Sequence, residues 1–381
     1  MSTAINRGSL VFGYDVELLS ELVHILRRHS YSNIQYMPTR QSLLAVVKEH
    51  ENLINVFRRE KHLLFYYSLF PGFYRSLTAR GNKKLSTLIR ACFYNEGLTK
   101  NELEDCFGGK TMRRALDNRI VIQRGSQLYF TLSFVPFGND IFARDPHYTY
   151  PPINRQGEER IWMGSDSIMF AKFLNGFLRG KHFDAALEVG SGSGIQVITA
   201  ARSARRCVAI DYDPRAVEFT KINARLNNIK NLEVFYSNLF ENVNGQFDLI
   251  LANPWYVDLK TGALEEVPGI IAGLNEHLRH DGTCVMLLNS YVKQGEDIVC
   301  DYLSKIAEQN AYQIEMQTIG YNIEISRIAG LKENGISYNV MYYVTLEKGQ
   351  AGRVTKHDCS RLRKTRDFAY INTMRIIHNV F

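Results

Sequence analysis

The sequence predicts an α/β protein. Roughly the second half of the chain is expected to fold as a doubly wound, mainly parallel sheet of seven strands, preceded by a helical and winged-helix-like N-terminal region. Two observations predict this arrangement. From Ala185 onwards, short β-branched runs alternate with helical stretches, and strands separated by helices pair in parallel through crossovers. Before residue 150, helical patterns precede an alternating pair of short strands.

The N-terminal region, residues 1–80, is predicted to be helical. Leucine, valine and isoleucine recur at steps of three and four residues over positions 15–28, and positions 41–50 and 52–70 continue this spacing. Such spacing puts apolar side chains on one face of a helix. Residues 79–83 then interrupt the pattern, which ends this region.

Residues 81–150 are predicted to form a winged-helix-like domain. Three helical patterns, KLSTLIRACFY, LTKNELEDCF and KTMRRALDN, are followed by two strands joined by a turn. A third helix in this position can enter a DNA groove, and its candidate contacts are Lys110, Arg113, Arg114 and Arg119. The charges of this segment nearly balance, which favours a lid or docking domain of the same topology.

The α/β domain is placed at residues 151–347, after a linker rich in proline and tyrosine. A basic tail is placed at residues 348–381. The seven strands correspond to ALEV, RCVAI, LEVFY, DLILA, TCVMLL and two late runs that end in YNVMYYVTL. Residues 347–381 carry eight basic and three acidic side chains, so they hold five of the seven net positive charges. The rest of the chain is close to neutral. The tail is either solvated or in contact with phosphate or anionic surfaces.

Composition excludes several classes of protein. The 381 residues are 45% hydrophobic and 22% charged, as in a soluble protein of two or three domains. No apolar run approaches the roughly 20 residues of a membrane span, and the first ten residues lack the layout of a secretory signal. We therefore expect a cytoplasmic protein. Its six scattered cysteines fit neither a disulfide framework nor a zinc site, and no metal is expected.

A glycine-rich turn between a strand and a helix is the first sign of a ligand site. It lies in A-L-E-V-G-S-G-S-G-I-Q-V, residues 186–197. Gly190 and Gly192 suit turn conformations and let a ligand approach the backbone, while Gly194 permits close packing where the helix begins. The second strand ends in Asp211, about 20 residues further on, where a carboxylate can accept both ribose hydroxyls.

These motifs resemble those of the class I S-adenosylmethionine (AdoMet)-dependent methyltransferases, whose sheet is Rossmann-like. E-V-G-S-G-S-G is similar to their first motif, and A-I-D-Y-D-P, residues 209–214, to the acidic end of their second strand. N-A-R-L-N-N, residues 223–228, resembles a helix end that recurs in their RNA- and protein-modifying members. The resemblance covers about residues 164–346 and implies AdoMet as the cofactor. The cofactor contacts that it implies are Glu188, Gly190, Ser191, Gly192, Gly194, Asp211, Tyr212, Asn238, Leu239 and Asn253.

The resemblance also implies roles for these residues. The glycines would line the methionine and ribose, Tyr212 would pack against adenine, and the carbonyl oxygen of Asn238 would accept a hydrogen bond from the adenine amino group. Glu188 is either a buried helper near the methionine amine or a residue at the strand edge. Residues 164–167 either close over the cofactor or begin a helix with Asp166 and Ser167 as its cap.

After the fourth strand come Asn253, Pro254, Trp255 and Tyr256, which resemble the N-P-P-[YF] signature of nitrogen methyltransferases, including release-factor glutamine and guanine-N2 rRNA methyltransferases. The nitrogen lone pair of an amide or aromatic amine is delocalised. Acceptance of its two hydrogens by the Asn253 oxygen and the Pro254 carbonyl would orient that lone pair toward the methyl group. Tyr256 would stack on the planar acceptor. The alternative interpretation is a plain Asn-Pro turn.

Trp255 stands where the family has a second proline, which leaves the substrate open. The residues expected to border the substrate are Asp166, Ser167, Trp255, Tyr256, Ser290 and Tyr291, although Tyr291 equally fits a packed surface aromatic. The leading hypothesis is N-methylation of a small molecule or peptide. The alternatives are an rRNA or tRNA base as acceptor, aminocarboxypropyl transfer or cyclisation of AdoMet, and a DNA-binding regulator that senses AdoMet.

Overall fold

The computed structural model describes residues 13–33, 82–146, 161, 163–254, 264, 266–322, 335–349 and 352–358. The helical patterns predicted over 41–50 and 52–70 lie outside these residues. Within the described ranges, no helix is long and apolar enough to cross a membrane.

Among the described residues, the elements up to Asp117 are helices, and two hairpins follow them. Their bounds are α1 Val16–Arg28, a 3₁₀ turn at Tyr31–Asn33, α2 Lys83–Leu88 continued by a π-helical turn at Ile89–Phe93, α3 Lys100–Phe107, α4 Gly109–Asp117, β1 Val121–Arg124, β2 Gln127–Phe130, β3 Ser133–Phe137 and β4 Asp140–Arg144. β1 pairs with β2 and β3 pairs with β4, both antiparallel.

The remaining elements build one mixed sheet and the helices that cover it. Their bounds are α5 Ser165–Phe177, β5 Phe183–Val189, α6 Ile195–Ala200, β6 Ala204–Asp211, α7 Pro214–Leu226, β7 Leu232–Tyr236, β8 Phe247–Ala252, α8 Val267–His277, β9 Leu278–Lys293, β10 Glu296–Asp297, α9 Ile298–Asn310, β11 Tyr312–Asn322, β12 Ile336–Lys348 and β13 Arg353–Asp358.

The sheet has the order β13-β11-β12-β9-β8-β5-β6-β7, with β10 attached to β9. Strands β5 to β9 are parallel, and β12 runs antiparallel between β9 and β11. The seven predicted strands are present, but the sheet has nine. One addition is β13, which pairs in parallel with β11 and comes from the segment expected to be a basic tail. The chain order reverses between β5 and β8, the point at which open α/β sheets bind ligands.

Local sequence signals place several helix starts. Asp15 accepts a hydrogen bond from the Leu18 amide ahead of α1. Thr99 and Glu102 form a reciprocal capping box at α3. Asp213 caps α7, whose first residue is a proline. Each side chain satisfies an amide that has no partner within its own helix.

The core consists of two apolar clusters, one on each face of the main sheet. Along β8, Leu249 and Leu251 belong to the first cluster and Ile250 to the second, as the twofold period of a strand requires. The first cluster also contains Leu22 of α1 and Phe134 of β3. The N-terminal elements therefore share a core with one face of the sheet.

Candidate active site

The predicted ligand-binding residues meet at the carboxyl edge of the parallel strands. Val189 at the end of β5 pairs with Ile210 of β6 on one side and with Ala252 of β8 on the other. Asp211 pairs with Tyr236, the last residue of β7. The turns that follow these four strands therefore lie side by side, although up to 63 residues of sequence separate their strand ends.

The glycine-rich turn has the conformation that its sequence predicts. Gly190, Gly192 and Gly194 have φ angles of 73°, 53° and 77°, in the left-handed region that favours glycine. A Cβ atom on either of the first two would have no neighbour within 4 Å among the described residues, which leaves space beside their backbone. A Cβ on Gly194 would lie 2.8 Å from Cγ2 of Thr220. Two glycines thus leave room for a ligand, and the third allows α6 to pack against α7.

The turn is held at several backbone positions. The amides of Gly190 and Ser191 both donate to the Ile210 carbonyl at 3.0 Å. Ser191 is buried, and its hydroxyl oxygen lies 3.0 Å from the hydroxyl of Thr220. These hydrogen bonds attach the glycine-rich turn to β6 and α7.

Asp211 ends β6 as a buried carboxylate. Its Oδ2 accepts from the Gly192 amide at 2.8 Å, and its Oδ1 accepts from the Asp213 amide at 2.9 Å. Burial raises its pKa to about 6, although these backbone amides oppose the shift. Each carboxylate oxygen keeps a second lone pair, which is what a ribose diol requires.

The predicted adenine side is more open. Tyr212 is 46% exposed. Asn238 donates its side-chain amide to Glu241 at 2.8 Å, which directs its carbonyl oxygen away from that partner. Leu239 packs against α8, since a Cβ on Gly269 would meet its side chain at 2.3 Å. Tyr236 is 48% exposed at the same edge, although it was not among the predicted site residues. Its position as an aromatic residue at the end of a strand is the signal that could have identified it.

Glu188 is fully buried, which agrees with the first of its two predicted interpretations and excludes the strand edge. Its Oε2 accepts from the Val197 amide at 2.9 Å, and its Oε1 has no hydrogen-bond partner among the described residues. Burial raises the pKa of this carboxyl well above its usual value. The Val197 amide opposes that rise, and the nearby charge of Asp211 adds to it.

Asn253 follows β8 and carries an unpaired acceptor. Its Oδ1 is buried with no hydrogen-bond partner in the described part of the chain, while its Nδ2 lies 3.5 Å from Oδ2 of Asp166. A buried polar atom without a partner is rare in native proteins and calls for a missing partner such as a ligand. Pro254 is buried. Trp255 and Tyr256 lie outside the described residues.

Asp166 and Ser167 do not cap α5. Gly164 occupies the cap position, and the helix begins at Ser165. Asp166 lies in the first turn, where its carboxylate faces Asn253. Ser167 is buried, and its carbonyl accepts from Gln196 at 3.4 Å. The alternative in which both residues act as the cap is therefore wrong, because backbone geometry sets the helix start two residues earlier.

The Ser290 hydroxyl is engaged near the start of α9. It donates to Oδ1 of Asp297 at 2.6 Å and accepts from the Val299 amide at 3.0 Å. Its place at the border of the substrate stays a prediction. Tyr291 is 2% exposed and belongs to the second apolar cluster, so it is packed in the core and is not a surface aromatic.

α4 is the basic third helix of the winged-helix-like segment, and one of its four candidate DNA contacts forms ion pairs within the protein. Arg114 forms ion pairs with Asp15 at 3.0 Å and with Glu21 at 2.7 Å, and both partners come from α1 or its cap. Thr111 of α4 also donates to Glu21 at 2.5 Å. The face of α4 that carries Arg114 therefore packs against α1.

Comparison with known proteins identifies relatives among methyltransferases. The family model of the methyltransferase small domain matches residues 169–315. A putative protein N5-glutamine methyltransferase of Methanocaldococcus jannaschii is 33% identical over 171 residues, which are 42% of this chain and 80% of that protein.

Other relatives match over shorter lengths. The ribosomal protein L11 methyltransferase of Thermosipho africanus is 38% identical over 30% of this chain and 41% of its own length. The release factor glutamine methyltransferase of Buchnera aphidicola is 37% identical over 21% of this chain and 30% of its own length. Among solved structures, a ribosomal protein L11 methylase of Lactobacillus delbrueckii aligns with a TM-score of 0.36 and 21% identity, over 50% of this chain and 81% of that chain.

Proposed function

Because the chain belongs to the class I AdoMet-dependent methyltransferases with a methyltransferase small domain, we propose that it methylates a nitrogen atom of a small molecule or a peptide. One observation carries this proposal. The buried Oδ1 of Asn253 lacks a hydrogen-bond partner among the described residues, at the edge of the sheet where the glycine turn and Asp211 also lie. Together with the Pro254 carbonyl it would provide two acceptors, which suit the two hydrogens of an NH₂ group better than the single hydrogen of a hydroxyl.

The residues on the cofactor side fit AdoMet. The open face of Gly190 and Gly192 admits the ligand against the backbone, and Asp211 offers two oxygens to the ribose hydroxyls. Tyr212 offers an exposed aromatic face, and Asn238 an acceptor for the adenine amino group. When bound, AdoMet supplies a methyl group on a positively charged sulfur.

Asn253 would act on the acceptor nitrogen. Its Oδ1 and the Pro254 carbonyl accept the two N–H hydrogens, which turns the nitrogen lone pair out of conjugation and toward the methyl donor. No strong base is needed at this step, because the nitrogen becomes acidic only after it gains positive charge. The remaining acceleration comes from positioning.

Asp166 supports the orientation of Asn253. An asparagine amide can be reversed, which exchanges its oxygen and nitrogen. Because the Asp166 carboxylate only accepts, it selects the orientation in which Nδ2 faces α5 and Oδ1 faces the acceptor site. Asp166 is therefore assigned a positioning role, and it borders the substrate as well.

A peptide or small-molecule acceptor is supported by charge and by the relatives. Arg114, one of the four candidate contacts to DNA, is already paired with two carboxylates of the N-terminal region. The relatives include glutamine methyltransferases of proteins and a methyltransferase of ribosomal protein L11. We assign the three helices and first hairpin of residues 82–130 a winged-helix-like docking role, in which they select the substrate.

The test uses the full chain with AdoMet labelled in its methyl group and a lysate of the source cells separated into small-molecule, protein and RNA fractions. We expect label in the small-molecule or protein fraction, a matching amount of S-adenosylhomocysteine, and an N-methyl group in the labelled product by mass spectrometry. The Asn253→Ala variant, purified in parallel, measures background from contaminating enzymes. Label confined to RNA, a methylated oxygen or carbon, or accumulation of methylthioadenosine would contradict the proposal.

A further inference from the structure

We propose that Asn223 is a positioning residue for the cofactor-binding turn, and that its hydrogen bond to Ser193 sets the affinity for the cofactor. Asn223 lies on α7, and its side chain contacts both β4 and the glycine-rich turn. This goes beyond the proposed acceptor chemistry, because it concerns only how the cofactor surface is held in place.

β4 lies along α7, where each of two asparagine side chains makes the pair of hydrogen bonds that a neighbouring strand would make. Asn223 accepts from the Ala143 amide at 2.7 Å and donates to the Ala143 carbonyl at 2.9 Å. Asn227 does the same with Ile141, at 3.0 Å for both bonds. Two residues of strand span about 6.7 Å and four residues of helix about 6 Å, so the two spacings match.

Asn223 has a further bond that Asn227 lacks. Its second N–H donates to the carbonyl of Ser193 at 2.8 Å, inside the glycine-rich turn. Asn223 is fully buried, and all of its hydrogen-bonding groups are in use. A single amide side chain therefore joins the hairpin to the turn, and removal of it would leave a carbonyl of the turn without its partner.

The same helix holds the turn at a second point one turn earlier. The Thr220 hydroxyl lies 3.2 Å from the Gly192 carbonyl, and Gly192 in turn donates to Asp211. Thr220 and Asn223 together fix two successive carbonyls, those of Gly192 and Ser193. Only the bond from Asn223 depends on a side chain that β4 also holds.

Asn227 provides a matched control on the same helix. Its other partners are the Asn223 carbonyl and Arg27 of α1, and none of its hydrogen bonds reaches the glycine-rich turn. Asn227→Ala and Asn223→Ala thus each remove two bonds to β4, but only the second change also removes the bond to Ser193.

The experiment measures S-adenosylhomocysteine binding to the full chain by calorimetry, together with thermal unfolding. We expect both variants to lower the melting temperature by similar amounts. Asn223→Ala should raise the Kd by about five- to tenfold, and Asn227→Ala by less than about twofold. Hydrogen exchange in the peptide covering residues 190–198 should become faster only in Asn223→Ala. An equal change of Kd in the two variants, or no change in either, overturns the proposal.

Asn223→Asp gives a second measurement if the alanine variant does not fold. The carboxylate still accepts from the Ala143 amide but cannot donate to Ser193. We expect a rise in Kd at least as large as that of the alanine variant. An unchanged Kd in Asn223→Asp also overturns the proposal.

Discussion

Protonation of Asp211 should weaken cofactor binding in a pH range that the structure predicts. The ribose hydroxyls are expected to donate to this carboxylate, so binding requires the ionised form. Burial raises the pKa of Asp211 to about 6. At pH 5 about one carboxyl in ten is ionised, and the Kd should therefore be about tenfold higher than at pH 8. That change corresponds to about 1.4 kcal/mol of binding free energy.

The assay is a calorimetric titration with S-adenosylhomocysteine between pH 5 and pH 8. The Kd should be nearly constant above pH 7 and should rise by about tenfold per pH unit below 6, until the bound state also takes up the proton. Folding stability should respond in the opposite direction. Because the folded pKa lies above the ordinary value of 3.8, the contribution of Asp211 to stability is greatest below pH 4 and is lost as the pH rises through about 6.

Asp211→Asn isolates this contribution. An asparagine has one acceptor oxygen, so it cannot accept from both the Gly192 and the Asp213 amides, and one of them meets an NH₂ group instead. We expect a weaker Kd that no longer changes between pH 5 and pH 8. If the wild-type Kd is constant down to pH 5, or if the asparagine variant keeps the same pH profile, the role given to the carboxylate is wrong.

Three further changes test other parts of the site and its supports. Asn253→Ala should change the Kd for S-adenosylhomocysteine by less than about twofold and lower turnover by about a hundredfold or more. If affinity and turnover fell by the same factor, the role of Asn253 in orienting the acceptor nitrogen would be refuted. Asp145→Ala removes the carboxylate that pairs with the buried Arg215 and should lower the free energy of unfolding in urea by about 3–5 kcal/mol, whereas the exposed Asp184→Ala should change it by less than about 1 kcal/mol. Gly194→Ala should destabilise by about 1–3 kcal/mol through contact with α7, more than Gly190→Ala, whose Cβ meets open space; the reverse order would contradict the packing described.

The family and most of the sheet could be predicted because their signals are local. A strand, a glycine-rich turn and a helix follow one another within about a dozen residues, and the left-handed φ angles of the turn are conformations that glycine alone adopts easily. The cap at Asp15 and the capping box at Thr99 are similarly local, since each side chain bonds an amide within three residues.

Where the prediction differed from the structure, the cause was contact between distant segments. β13 pairs with β11, so residues that resemble a solvated basic tail become part of the sheet. β9 extends to Lys293, so Ser290 lies within the strand and not after it, and its hydroxyl bonds to the start of α9. A one-dimensional pattern gives the exposed and buried faces of an element but not which element covers them.

The residues of this chain therefore specify the chemistry at the ends of its strands, because glycine, aspartate and asparagine act there through their own backbone and side-chain geometry. The sequence pattern does not specify which distant residues hold these strand ends in place. The bonds of Asn223 to Ala143 and of Arg215 to Asp145 join positions 80 and 70 residues apart, and both form only when the β3–β4 hairpin packs against α7. Hydrogen bonds depend on distance and direction in space, and packing of the whole chain is what brings those partners within reach.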